Sequence, residues 1–252
     1  MNFLIATIIG CYAGIFLNSL ITQIPARIKR LWTDECYSFL KLAAPQNEES
    51  AENTVTRSTL QYLVPVLGHF GSHKTAQVPL RMPIVEFLSG ILLALSVFKF
   101  GLTPMAVLST GFLWTVMVLS FIDLETQLLP DDLTLPLLWL GLLVNLSNFL
   151  TDLHSAVLGA ALGYLVLWGV FKLFKLISGK EGMGYGDFKL TAAIGAWLGW
   201  QALPEILLIA GLTGAATGLA TYLKRGQNQI PFGPHLGLSA SLMLLTGGGW
   251  LG

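Results

Sequence analysis

The chain has 252 residues, of which 54% are hydrophobic and 11% charged, with a mean hydropathy of +0.68. An ordinary soluble domain carries about a quarter charged residues, so the composition excludes one and describes an integral membrane protein. The formal net charge is zero, which gives no bulk attraction to nucleic acid. Two cysteines, Cys11 and Cys36, support neither a disulfide framework nor a four-cysteine zinc site.

Residues 3–21 form an apolar run of about one membrane span. The run is too long for a signal core and lacks a basic flank and a small-residue cleavage site, so it predicts no cleavage. Cys11 reads as a small core residue, and Asn18 as a polar contact between helices. Residues 22–82 change character. Arg27, Lys29, Arg30, Lys41, Arg57, Lys74 and Arg81 fall here, among Glu48, Glu49 and Glu52. Residues 45–58 read as a flexible tract and residues 60–70 as an interfacial segment. The basic residues place this loop in the cytoplasm and the N-terminus outside.

Further apolar runs near 84–98, 104–122, 133–150, 156–176, 190–202, 204–222 and 232–250 bring the count to eight spans. The expected fold is an all-α polytopic membrane protein. Its divisions are a first transmembrane helix (1–21), a cytoplasmic loop subdomain (22–82) and a transmembrane core (83–252). Inner loops then follow the odd-numbered spans. Lys172, Lys175, Lys180 and Lys189 flank one of them, and Lys224 and Arg225 flank another. Only Lys99, of 14 Lys and Arg, falls on the outer side. The sixth run, Thr191 to Gly199, is rich in Ala and Gly and suits close helix packing.

Two stretches carry chemistry. The first is Gly182-Met183-Gly184-Tyr185-Gly186-Asp187-Phe188-Lys189, three alternating glycines ending on an acid at the mouth of the sixth span. Gly184 and Gly186 allow close backbone approach and unusual dihedrals. An acid here is a helix cap in the bland reading and a functional group in the sharper one. The second stretch runs from Phe121 through Asp123 and Glu125 to Pro130-Asp131-Asp132. Asp123 closes the third span and Asp187 opens the sixth, so the topology puts both acids at one face of the membrane. Two carboxylates that converge tend to share one proton. The ionised member takes a proton from water and the other polarises a carbonyl, as in an aspartic protease. Helix capping accounts for Asp131 and Asp132, and Glu125 reads as a solvated charge. Glu86, one turn inside the second span, reads as an interfacial carboxylate. Glu86, Asp131 and Lys189 are the candidates for supporting roles.

These two acid blocks resemble those of the type IV prepilin peptidases, membrane aspartyl proteases of the Gly-x-Gly-Asp class. Gly14-Ile15-Phe16-Leu17-Asn18 resembles the family's first span, Arg81-Met82-Pro83-Ile84-Val85-Glu86 its second, and Pro231-Phe232-Gly233-Pro234 the entry to its last. The resemblance covers most of the chain, and only residues 25–78 match poorly. It implies an endopeptidase that cuts basic leader peptides from type IV prepilins or type II secretion pseudopilins, after a glycine and at the cytoplasmic face of the bacterial inner membrane. The catalytic aspartates map onto Asp123 and Asp187, and the active-site loop onto Gly184 and Gly186. Proteolysis needs no cofactor. Many members also methylate the new N-terminus with S-adenosylmethionine. Partners are the substrates and membrane lipids, without nucleic acid.

Many members also carry two Cys-x-x-Cys pairs in the first loop. Here that loop contains only Cys36, so no zinc is expected, and His69 and His73 read as surface residues. A serine protease built on His235 and Ser239 is one rival reading. A transporter with a broken helix is another, and a non-enzymatic secretion subunit is the third. The first shows no oxyanion site in the sequence, the second needs acids at a midplane cavity and not at the cytoplasmic ends, and convergence of Asp123 and Asp187 discriminates against the third.

Overall fold

A computed structural model describes residues 2–40, 81–179, 183–225 and 231–247. The flexible tract at 45–58, the interfacial segment at 60–70, and His69 and His73 lie outside the described residues. Within them the chain forms α-helices, turns and one short 3-10 turn, with no strand. The fold is the expected all-α membrane class. The helices are α1 (Asn2–Leu40), α2 (Arg81–Phe100), α3 (Pro104–Thr126), α4 (Asp131–Asn145), α5 (Leu153–Ser178), α6 (Tyr185–Leu198), α7 (Leu203–Arg225) and α8 (Gly233–Thr246).

Each apolar run centres on one helix, but the helices differ in length. Among the described residues five helical stretches are long and apolar enough to span a membrane: Phe3–Leu40, Arg81–Phe100, Pro104–Thr126, Leu153–Ser178 and Trp200–Leu223. The other three helices have 14 or 15 residues. At 1.5 Å per residue that is roughly 21 Å, short of a hydrocarbon core of about 30 Å. The sixth run does not continue as one helix. Gly199, at φ 81 and ψ 167, ends α6, and a 3-10 turn at Trp200–Ala202 leads into α7.

The described chain divides into two units, residues 1–101 and 102–252. The first is an antiparallel pair in which α2, the second span, packs on α1. Here α1 does not stop where its apolar run stops but continues through residue 21 to Leu40. Small residues bring the two backbones together: a Cβ at Gly10 would sit 2.7 Å from the Gly90 Cα, and one at Gly14 would sit 2.5 Å from the Glu86 Cα. The Ser89 hydroxyl donates to the Gly10 carbonyl at 2.8 Å, and Asn18 Nδ2 donates to the Met82 carbonyl at 3.1 Å. Asn18 is therefore the interhelical polar contact read from the sequence. Arg81 Nη2 donates to the Thr22 hydroxyl at 3.0 Å.

The second unit is built around α6. Nearly every residue from Asp187 to Trp197 is buried, as expected of an apolar helix enclosed by others. Gly159 of α5 and Gly195 of α6 meet backbone to backbone, and a Cβ at Gly163 would lie 2.6 Å from the Thr191 carbonyl. These are the contacts that an Ala- and Gly-rich helix makes possible. On the α4 side Trp197 Nε1 donates to the Leu137 carbonyl at 2.7 Å, and the Trp197 ring lies 5.1 Å from Phe112 of α3. Asn145 ties the far end together. Its Nδ2 donates to the Ala196 and Trp197 carbonyls, and its Oδ1 accepts from Leu150 and Thr151 N–H. On another side α3 packs antiparallel on α8, where a Cβ at Gly237 would touch Ser120 and Val116.

Candidate active site

The site lies where α3 ends and α4, α6 and α8 begin. The end of α3 is set by Gln127, which takes a left-handed conformation (φ 55) and donates its N–H to the Asp123 carbonyl. Pro130 then caps the start of α4. The last buried side chain of α3 is Asp123, 5% exposed. Its Oδ2 accepts the N–H of Gly233 at 2.9 Å. Gly233 is the first residue of α8, whose N-terminal amides lack helical acceptors and favour a negative charge. Absence of a side chain at Gly233 is a condition of this contact, because a Cβ there would fall 2.7 Å from Asp123 Oδ2.

Asp187 occupies the first turn of α6 and is 7% exposed. It is not the N-cap residue. That position is Gly184, extended at φ −80 and ψ 150, whose backbone N–H is directed to the Asp187 carboxylate. Asp187 Oδ1 is buried without a hydrogen-bond partner. Such an atom is costly in a folded protein unless something else engages it. The carboxylate of Asp187 lies within the electrostatic reach of Asp123. The two acids, 64 positions apart in sequence, are each buried where α3 ends and α6 begins. They can share a proton, because two neighbouring carboxylates do not both ionise easily.

The glycine positions differ in purpose. A Cβ at Gly186 would lie 2.7 Å from Leu129 Cβ, so the α3–α4 turn and the α6 entry touch only because position 186 has no side chain. Gly184 lies in the open, and a Cβ there would meet only Asp187 Oδ2, at 3.9 Å. Asp131 and Lys189 are also brought together: Lys189 Nζ donates to both Asp131 carboxylate oxygens at 2.7 Å. Phe188 is fully buried within an aromatic cluster with Tyr164, Phe171 and Tyr185. Glu86 belongs to the first unit, half-buried on α2.

The serine-protease geometry is not formed. The Ser239 hydroxyl donates to the backbone carbonyl of His235, and His235 Nε2 pairs with the Thr217 hydroxyl at 3.0 Å. Among the described residues no three His, Cys, Asp or Glu side chains are grouped to hold a metal ion.

Sequence reasoning missed the Gly233 amide, the Leu129 wall and the aromatic cluster. Only Gly233 had a visible signal, a glycine between Pro231 and Pro234 ahead of an apolar helix.

Residues 110–219 match the model of the type IV leader peptidase family. A prepilin leader peptidase/N-methyltransferase of Aeromonas salmonicida (strain A449) is 43% identical over 93% of this chain and 87% of its own length. Proteins of the same description from Burkholderia pseudomallei (strain 1026b) and Pseudomonas aeruginosa PAO1 are each 38% identical over 98% of this chain, and over 86% and 91% of their own lengths. No solved structure matches the chain.

Proposed function

This chain belongs to the type IV leader peptidase family, and from that premise we propose that it is an aspartyl endopeptidase that cleaves prepilin leaders with Asp123 and Asp187 as its catalytic pair. The observation that carries the reading is the buried Asp123–Asp187 pair, one oxygen of which has no partner.

The two acids divide the work by their surroundings. Each carboxylate has a backbone donor, Gly233 for Asp123 and Gly184 for Asp187, but Asp187 also keeps a buried oxygen without a partner, which suits a protonated carboxyl. Asp123 then holds the charge and acts as general base, drawing a proton from the attacking water. Asp187 carries the shared proton and donates through its otherwise unpartnered Oδ1 to the scissile carbonyl. As the tetrahedral intermediate collapses, the proton taken from water passes to the leaving amine. The bond must be presented in extended form, since helical backbone keeps its carbonyl hydrogen-bonded. A substrate with an apolar helix behind its leader offers that bond at membrane depth, where the pair lies.

We place the enzyme in the bacterial inner membrane with the pair facing the cytoplasm, on the distribution of basic residues. Residues 22–82 then form its cytoplasmic part. Its substrates are type IV prepilins or type II secretion pseudopilins. Methylation of the new amine, suggested by the names of the relatives, takes its methyl from S-adenosylmethionine. Among the described residues, the groove along Lys29, Trp32, Thr33, Cys36, Tyr37 and Leu40 of α1 has no acid in its lining to hold ribose hydroxyls, and no step is assigned through it.

Purified protein incubated with a prepilin and S-adenosylmethionine, followed by mass measurement of the product, tests both activities. A shortened chain marks the peptidase and an added methyl marks the transferase. Asp123→Asn and Asp187→Asn should each abolish the shortening. Cleavage by either variant at the wild-type rate would remove the assignment.

A further inference from the structure

The first turn of α6 is weakly held by its own residues. Gly186 disfavours helix, the cap residue Gly184 has no side chain to accept an amide of the turn, and the Asp187 N–H reaches the Gly184 carbonyl at a long 3.3 Å. Yet this turn carries Asp187, whose placement against Asp123 sets the chemistry. Misplacing a reacting group by about 1 Å can cost about a hundredfold in rate. Two contacts from the α3–α4 turn compensate: Leu129 lies against Gly186, and Asp131 receives Lys189 with both oxygens at 2.7 Å.

We propose that the Lys189–Asp131 ion pair is a clamp that fixes the entry of α6 so that Asp187 faces Asp123, making both members positioning residues for the peptidase. The proposal deepens the function argued above and rests on it. Lys189 follows Asp187 by two residues, about 200° around the helix, so its side chain leaves the helix on a different face, and its ammonium sits on Asp131. Two of its donors are committed to Asp131. It acts through the backbone of the turn, not as a charge on the reacting atoms. The pair is 33% and 52% exposed, and an ion pair so exposed adds little to global stability. Its loss therefore leaves the fold intact and loosens one turn.

The test uses the full-length purified protein. Lys189→Met and Asp131→Asn should each lower kcat by about tenfold or more with KM and melting temperature nearly unchanged. The limbs of the pH–rate profile should stay in place. The exchanged variant, Lys189→Asp with Asp131→Lys, should recover part of the loss. Asp132→Asn, next to the clamp but outside it, should behave as wild type. A second readout needs no substrate. Infrared titration should resolve two coupled steps for the Asp123 and Asp187 carboxyls in the wild type, and these should move toward independent titration in each single variant.

Wild-type kcat in both single variants would overturn the clamp. So would an exchanged variant no better than the singles, or coupled titration persisting in both singles. A shifted pH limb in Lys189→Met alone would replace the clamp with direct electrostatics. If the wild type cleaves no prepilin, the functional reading fails, while the infrared titration still judges the clamp.

Discussion

Gly233→Ala separates stability from activity at a single methyl group. The added Cβ would fall 2.7 Å from Asp123 Oδ2 and 3.2 Å from its Cγ, while ordinary contact begins near 3.4 Å. The carboxylate must then retreat by about 0.7 Å, since repulsion rises steeply inside contact distance. Its bond from the Gly233 N–H lengthens with it. Positional sensitivity of this order is worth roughly 10- to 100-fold in kcat, or about 1.4–2.7 kcal/mol of barrier. The backbone does not resist the change, because Gly233 has no left-handed φ. Alanine also favours helix over glycine, by up to about 1 kcal/mol. The expected outcome is a protein that melts no lower than wild type and cleaves prepilin at least about tenfold more slowly. Steady-state cleavage in detergent with parallel thermal unfolding measures both. A variant that cleaves at the wild-type rate would refute the argument that the Gly233–Asp123 contact positions the base.

Other consequences concern the same unit. Gly159→Ala inserts a methyl where the α5 and α6 backbones touch; neither side can yield by rotating a side chain, so a loss of about 1–3 kcal/mol is expected in thermal unfolding. Asn145→Leu leaves two carbonyls of α6 and two amides of the 146–152 turn without their side-chain partner, which should cost about 2–4 kcal/mol. The pH dependence of cleavage should be bell-shaped. Activity falls on the acid side as the pair becomes doubly protonated and loses its base, and on the alkaline side as it loses its shared proton. A simple one-step profile would speak against a shared proton. At the start of α5, the Ser155 hydroxyl and N–H hold the Asp152 carboxyl below its usual range. That stabilisation is present above the unfolded value near 3.9 and disappears as pH falls through the folded value. Asp152→Ala should therefore melt lower than wild type at neutral pH and converge with it in acid.

Much of this was legible in the chain itself, for reasons that residue type and order express directly. A low charge fraction and repeated apolar runs dictate an all-α membrane protein, because lipid leaves backbone polar groups no partner but each other. Acids at the ends of two such runs make Asp123 and Asp187 the candidates for the site, since a carboxylate at that depth needs a reason. The tertiary structure decided what depends on neighbours. Apolarity does not distinguish a crossing from an enclosed helix, so only packing revealed that α6 is short and surrounded. No local pattern joins Gly233 to Asp123, Leu129 to Gly186 or Lys189 to Asp131. Those pairs are 110, 57 and 58 positions apart, and each exists because separate helices happen to begin or end at the same depth.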